Sequence, residues 1–401
     1  MKQLTLPLCV LILLGCFSCG SSSEEVHRIT NLPSPSLVPA NDTKVENWQL
    51  NTKTENKSFL SDNIDSIIII KPETSDNNLI GAISGIFLKG DSLIIIDASK
   101  SQNIYIFNKN GKYISSIGAR GEGPDEYGSI NGVALYDNQL YVLDWIKNRL
   151  LGFPLGNGET TKRDFKNMRP DNFAVLDDSI IIASYASYFE NNPFALTWID
   201  NSGKILQTSR PFTYSLPFPA GTFKRTIDDR LLYFRNDCDT IFEISKDYIA
   251  PKYTLGLSND FYDFVEDNKN LSREQFFKKL YTEDSSPLNM YNLYDCDQTW
   301  IIHFQKGTKA YISTVDKKTG KASNYLRSDI QKQEVYVPFI FFPGDDKHLV
   351  TYIDNTFMDK VSATDKQRLF KTFPFLENIV LNYDFDNLNP LICIMKLKNQ
   401  Y

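Results

Sequence analysis

Between Asp91 and Tyr127 three short apolar runs follow one another, and the pattern then returns further down the chain. Leu93–Ile96 and Ile104–Phe107 come first, Asn110-Gly111 makes a turn, Tyr113–Ile117 is the third run, and a glycine-dense stretch closes the unit. Short apolar runs joined by polar turns read as a β-meander. Leu93-Ile94-Ile95-Ile96-Asp97 is matched by Leu140-Tyr141-Val142-Leu143-Asp144, an offset of about 47 residues. Self-similarity at that spacing is a signature of propeller blades, each a small sheet that buries its faces only against its neighbours.

On this frame the chain reads as an all-β fold, a six-bladed β-propeller with small helical insertions. Blade one comprises Ala82–Leu88, Ser92–Asp97, Asn103–Asn108 and Lys112–Gly118. Blade two comprises Ile130–Leu135, Gln139–Asp144, Arg149–Pro154 and Thr160–Phe165. Blade three is Phe173–Leu176, Ser179–Ser184, Ala195–Asp200 and Lys204–Ser209; blade four is Thr222–Ile227, Arg230–Arg235, Thr240–Ser245 and Ala250–Leu257. Blade five is Tyr291–Cys296, Thr299–Phe304, Lys309–Val315 and Ala322–Leu326. Blade six has only three strands at the end of the chain, Phe339–Phe342, His348–Ile353 and Asn389–Leu397. The nearly continuous apolar run Ile64–Ile70 is left over at the start, and placing it on the outer edge of blade six closes the ring. An open ring would leave two apolar sheet faces wet.

Two insertions interrupt the rhythm. Residues 259–290 carry Ser272-Arg-Glu-Gln275, a capping box, followed by Phe276, Phe277, Leu280 and Tyr281 on one helical face that is expected to pack on the propeller rim. Around Thr364 to Lys371 a second helical insertion is expected.

The N-terminus carries an address. Lys2 precedes a mostly apolar stretch, Leu4 to Leu14, of signal-peptide length and too short to span a bilayer. Leu13-Leu14-Gly15-Cys16 resembles the bacterial lipoprotein signal, with cleavage before Cys16 or, alternatively, Cys19. Residues 1–18 are therefore read as the signal, 19–58 as a flexible tether containing Pro33, Pro35 and Pro39, and 59–401 as the propeller. Ser21-Ser22-Ser23-Glu24-Glu25 behind the cysteines is similar to the surface-export signal of Bacteroidetes lipoproteins, or is a solvated linker. The expected location is the outer membrane, lipid-anchored on its periplasmic face or at the cell surface.

Glycines and acids after blade one carry a family likeness. The pattern Asp97, Ile104, Phe107, Gly111, then Gly118-x-x-Gly121-x-Gly123-Pro124-x-Glu126-Tyr127, resembles NHL-type repeats and the six-bladed NHL/TolB-like propeller lipoproteins of Bacteroidetes. Asn236-Asp237-x-Asp239-Thr240-Ile241-Phe242 and Asn389-Pro390 with Lys396-Leu397-Lys398 add to it. The resemblance covers roughly residues 60–398 and is weakest in blades three to six. It implies a secreted, lipid-anchored propeller and assigns no chemistry.

Candidate binding residues gather around the Gly118–Gly128 loop: Arg120, Glu122, Glu126 and Tyr127, with Trp145, Lys147 and Arg149 beside Asp144, and Tyr185 and Tyr188 in blade three. Arg120 could pair with a carboxylate or sugar acid, and aromatics next to charges suit a glycan or protein patch. The plainer reading is an inter-blade clamp in which Glu126 accepts from backbone amides. Gly121 and Gly123 are expected to supply backbone angles closed to other residues. Asp97 and Asp144 recur at equivalent places, which favours turn capping over calcium ligation or acid–base work. No catalytic constellation or metal motif appears: His27, His303 and His348 are isolated, and Cys238, Cys296 and Cys393 have no ligand spacing.

With a net charge of −6 and no basic footprint, nucleic acid is not an expected partner. The expected function is a monomeric binding or scaffolding module for a glycan, peptide or partner protein, without a cofactor. The alternative is a calcium-dependent, lactonase-like hydrolase or lyase at the central channel, by analogy of fold alone.

Overall fold

The computed structural model describes residues 36–37, 44–48, 50–54, 59–165, 169–185, 195–209, 221–235, 238–256, 260–283, 289–328 and 342–398. The signal, Cys16, Cys19, residues 19–35 and Tyr188 lie outside them.

Six antiparallel sheets follow one another as a six-bladed β-propeller. The first contains Gly85–Lys89, Ser92–Asp97, Asn103–Asn108 and Tyr113–Ser116; the second contains Gly132–Tyr136, Gln139–Asp144, Arg149–Pro154 and Thr161–Asp164. The third contains Asn172–Val175, Ile180–Ser184, Leu196–Asp200 and Ile205–Ser209; the fourth contains Thr222–Arg225, Leu231–Phe234, Thr240–Ile244 and Tyr248–Thr254. The fifth contains Asn289–Asp295, Thr299–Lys306, Lys309–Asp316 and Ala322–Leu326. In the sixth, Phe342–Pro343, His348–Ile353 and Leu391–Leu397 are completed by Ile64–Ile70, which runs antiparallel to the last strand from Ile392↔Ile70 to Lys396↔Ser66. Strands from the two chain ends thus close the ring.

The core is a series of wedges between neighbouring sheets. Ile96, Tyr127, Leu140 and Phe153 fill the wedge between blades one and two. Ile182, Trp198 and Tyr233 fill that between three and four, and Tyr294, Ile301, Leu391 and Met395 that between five and six. Middle strands such as Ile180–Ser184 are buried on both faces, which explains their unbroken apolar sequence.

The first strands of blades one and two start later than the apolar pattern predicts, at Gly85 and Gly132. Gly81 and Ala82 donate their amides to the Asp97 carboxylate at 2.7 and 3.0 Å, and Gly128 and Ser129 donate to Asp144 at 2.8 and 3.1 Å. A carboxylate at the end of the second strand takes amides that would otherwise begin the ladder.

The tether expected over residues 19–58 is corrected in its second half. Ser36–Leu37 and Glu46–Asn47 add in parallel to Tyr248–Thr254, the outer strand of blade four. Trp48 is 1% exposed and packs with Tyr253 and Trp300, and Leu50 joins the same cluster between blades four and five. Apolar burial wins over the local composition that reads as linker.

Helices occupy both expected insertions. Asp260–Asn268 and Arg273–Thr282 pack through Phe264, Phe276 and Leu280, and the Ser272–Gln275 capping box forms as read. The blade-six insertion holds three helices where one is expected: Asn355–Lys360, Ala363–Thr372 and Pro374–Leu381. Pro374 opens the last of these at its first turn, where a missing N–H costs nothing, and does not stop a helix.

Candidate functional site

Alternation of strand direction separates the connections onto two faces. Links between first and second and between third and fourth strands emerge at one face, and all the others at the opposite one. The first face carries tight hairpins such as Gly90-Asp91 and Asp137-Asn138. The connections after Ile70, Ser116, Thr254 and Ile353 all leave the sheets at the second, long-connection face. The first strands of neighbouring blades pack along the axis, and those of blades two and four are half-buried throughout.

Arg225 ties the inner ends of three blades together at the hairpin face. Its guanidinium stacks on the Tyr136 ring of blade two at 4.6 Å and donates to the carbonyls of Val175 and, at 3.1 Å, Leu176 of blade three. It also pairs with Asp229 of its own blade at 2.7 Å. The sequence gives no local hint of this role, because the partners come from three repeats.

The Gly118–Gly128 loop at the opposite face is held by the residues after Asp144. Lys147 Nζ donates to the carbonyls of Gly121 (2.6 Å), Gly123 (3.3 Å) and Glu126 (3.0 Å). Arg149 donates to Pro124 (2.9 Å) and Glu126 carbonyls, and its Nε lies 3.8 Å from Asp144 Oδ2. Glu126 Oε2 accepts from the Gly123 amide at 2.7 Å. The glycines are needed for a different reason than expected. Positive φ falls at Gly118 (61°), whereas side chains at Gly121 and Gly123 would collide with the Glu126 carboxylate. The second blade-one clasp works alike: burial raises the Asp97 pKa, but donors from Lys100, Ala82 and Ser101 outweigh it and hold the carboxyl below its usual value.

The candidate residues therefore divide. Arg120 and Glu122 face solvent, with the Glu122 side chain 96% exposed beside Lys147. Glu126, Lys147 and Arg149 are engaged in the loop itself. Tyr127 is wholly buried, with its ring edge-on to Phe153 at 6.3 Å. Trp145 is half-buried, donates to the Pro170 carbonyl at 2.7 Å and carries Arg169 over its ring at 5.1 Å. Tyr185 is buried in blade three and hydrogen-bonds Thr197 at 2.9 Å, apart from this loop.

Two further features depend on partners distant in the chain. Asn389 is fully buried: its Oδ1 accepts from the Ile80 amide (2.7 Å) and its Nδ2 donates to the Glu73 (2.8 Å) and Asn78 (3.0 Å) carbonyls. Asn389-Pro390 was visible as a motif, but its partners lie about 310 residues away. Lys224 holds its ammonium 5.9 Å from the Tyr294 ring, where burial lowers its pKa. Among the described residues no group of three His, Cys, Asp or Glu side chains is placed to hold a metal ion.

A family match decides the chain's kinship: residues 45–396 match the domain of unknown function DUF4934. The protein belongs to the DUF4934 family. That match begins at the docked segment before Trp48 and ends in the last strand, so the DUF4934 unit is the whole closed ring. A protein described as exported, from Bacteroides fragilis NCTC 9343, has a crystal structure similar to this fold. It shares 17% identity at a TM-score of 0.71, over 89% of this chain and 100% of that one. Virginiamycin B lyase from Staphylococcus aureus matches more loosely, with 13% identity and a TM-score of 0.38 over 71% of this chain and 80% of that one. No curated protein matches the chain.

Proposed function

We propose that this DUF4934 protein is an exported, envelope-anchored propeller that binds a glycan, peptide or partner protein through its long-connection face. One observation carries the reading: the long connections emerge at one face, while Arg225 draws three blades together at the other. Loops set on a rigid scaffold are where binding residues concentrate. Among the described residues, exposed large apolar side chains outside the strands follow the same division, while Ile68, Ile114 and Tyr291 lie within strands. Leu79, Ile146, Leu271, Phe375, Leu381 and Leu388 all lie in long-face connections, and Ile227 lies at the hairpin face. Arg120 and Glu122 add outward charge to that surface. The signal-like start and the likeness to an exported Bacteroides fragilis protein support the envelope address, with Cys16 or Cys19 as the lipidated residue.

Its test is a thermal-shift panel of glycans, peptides and calcium on the mature protein, repeated with substitutions at each face. A ligand whose shift is lost in Arg120→Ala/Glu122→Ala or Phe375→Ser/Leu381→Ser, and kept in Lys318→Ala/Asp247→Ala, supports the reading. The reverse pattern overturns it.

A further inference from the structure

Three Asn-Gly pairs occur in the sequence: Asn110-Gly111, Asn131-Gly132 and Asn157-Gly158. In such a pair no Cβ keeps the second nitrogen away from the asparagine side chain. Once that nitrogen has lost its proton to water it can attack the side-chain carbon Cγ. A C–N bond forms, the side-chain nitrogen leaves as ammonia, and a five-membered succinimide results. Water then opens the ring at either carbonyl, giving aspartate or isoaspartate. Ring closure needs an amide free of hydrogen bonds and a backbone able to rotate, so the fold decides which pair reacts.

The first two pairs are held. In the blade-one turn the Asn110 amide donates to Asn108 Oδ1 at 2.9 Å, and the Gly111 amide, the attacking nitrogen, donates to the Asn108 carbonyl at 2.9 Å. The Gly111 carbonyl accepts from the Glu73 amide at 2.7 Å, and the glycine packs against the Lys71 carbonyl. At the second pair, Asn131 Oδ1 accepts from the Trp145 amide at 3.0 Å and the Asn131 amide donates to the Leu143 carbonyl at 2.9 Å. Gly132 is paired with Leu143 in the first strand of blade two.

The third pair lies in blade two where the first lies in blade one, in the link between third and fourth strands, and has none of these restraints. The Leu155 amide donates to the Asn138 carbonyl at 2.9 Å, and the strand pairing resumes at Thr161 opposite Gly152. Between them Gly156, Asn157, Gly158 and Glu159 are exposed. Among the described residues, neither Asn157 nor Gly158 has a hydrogen-bond or ion-pair partner. A segment with so few fixed contacts rearranges locally at little cost. Cγ of Asn157 can therefore meet the Gly158 nitrogen while the blade stays intact.

We infer that Asn157 is a site of spontaneous modification in the folded protein, converting to aspartate and isoaspartate while Asn110 and Asn131 stay as they are. Each conversion adds one negative charge at the hairpin face. Isoaspartate also adds a methylene to the main chain between the two outer strands of blade two. The converted fraction rises with the time a molecule has spent folded. The site lies on the face opposite the long connections and stands independently of the binding role proposed for them.

The test is incubation of the mature protein in neutral buffer, followed by isoelectric focusing and peptide mass spectrometry. The peptide holding Asn157 should gain the mass of an NH2-to-OH exchange, faster as pH rises, and those holding Asn110 and Asn131 should not. Isoaspartate in it should accept a methyl group from S-adenosylmethionine when an isoaspartyl methyltransferase is added. Asn157→Gln should lose the acidic form seen on focusing. In urea, which removes the restraints of the fold, all three pairs should convert alike. An intact Asn157, conversion of Asn110 or Asn131 at the same rate in the folded protein, or the same ranking of the three in urea would overturn the inference.

Discussion

Trp48 stacks on Tyr253 with ring centroids 4.2 Å apart, and Trp300 lies 5.3 Å from Trp48 and 5.5 Å from Tyr253, so the three rings form one cluster. A residue from the segment ahead of the propeller therefore fills the wedge between blades four and five. Aromatic groups this buried contribute through both area and ring geometry.

Trp48→Ala should lower stability by about 3 kcal/mol, the range for emptying a buried aromatic site. A chain beginning at residue 45 should unfold like the full mature protein, while one beginning at residue 55 should melt lower. It should also expose the outer strand of blade four, an unpaired edge open to self-association. Thermal melts with sedimentation on the mature protein, Trp48→Ala and the two shortened chains check this.

The glycine loop offers a contrast between neighbours. Asp144 accepts from Gly128, Ser129, Ile146 and Lys147 while buried beside Arg149. Asp144→Ala should cost about 3–5 kcal/mol, because the Arg149 charge stays buried without its partner. Lys147→Met should cost about 1–3 kcal/mol for the carbonyls left unmet, and Arg120→Ala under about 0.5 kcal/mol. Chemical denaturation of the three variants orders them.

His303 gives a pH signature. It is buried against Tyr291 and Tyr294, and burial, then the Arg327 charge, depresses its pKa to about 3. Unfolded histidine titrates near 6.5. Between those values the unfolded chain binds the extra proton, so this group's contribution is fully present above pH 6.5 and is lost as pH falls. The loss should reach about 2 kcal/mol at pH 5. His303→Asn should flatten the dependence of melting temperature on pH between 7.5 and 5; an unchanged slope would place the acid sensitivity elsewhere.

Local periodicity made the blades legible because each strand's burial repeats within a few residues, as in Leu93–Asp97 and Leu140–Asp144. The same periodicity exposed Ile64–Ile70 as a strand lacking a neighbour. What stayed hidden depends on partners far apart in the chain. Arg225 meets Tyr136 across two blades, Asn389 meets Ile80 across the ring junction, and Trp48 finds its slot only once blades four and five stand side by side. The candidate residues were legible as a charged cluster, but Lys147 and Arg149 could be assigned to the loop carbonyls only from their geometry.

Ring closure by the two chain ends underlies every one of these assignments, and Ile69 lies directly opposite Cys393 across the closing strands. Antiparallel partners stand about 4.5–5.5 Å apart at Cα, within disulfide range. Ile69→Cys, refolded in a glutathione redox buffer and digested without reduction, should yield a peptide joining positions 69 and 393 by mass spectrometry. Ile68→Cys, whose side chain points to the other face of the sheet, should not. Recovery of both thiols free in the refolded Ile69→Cys protein, or linkage from position 68 in its place, would contradict the closure.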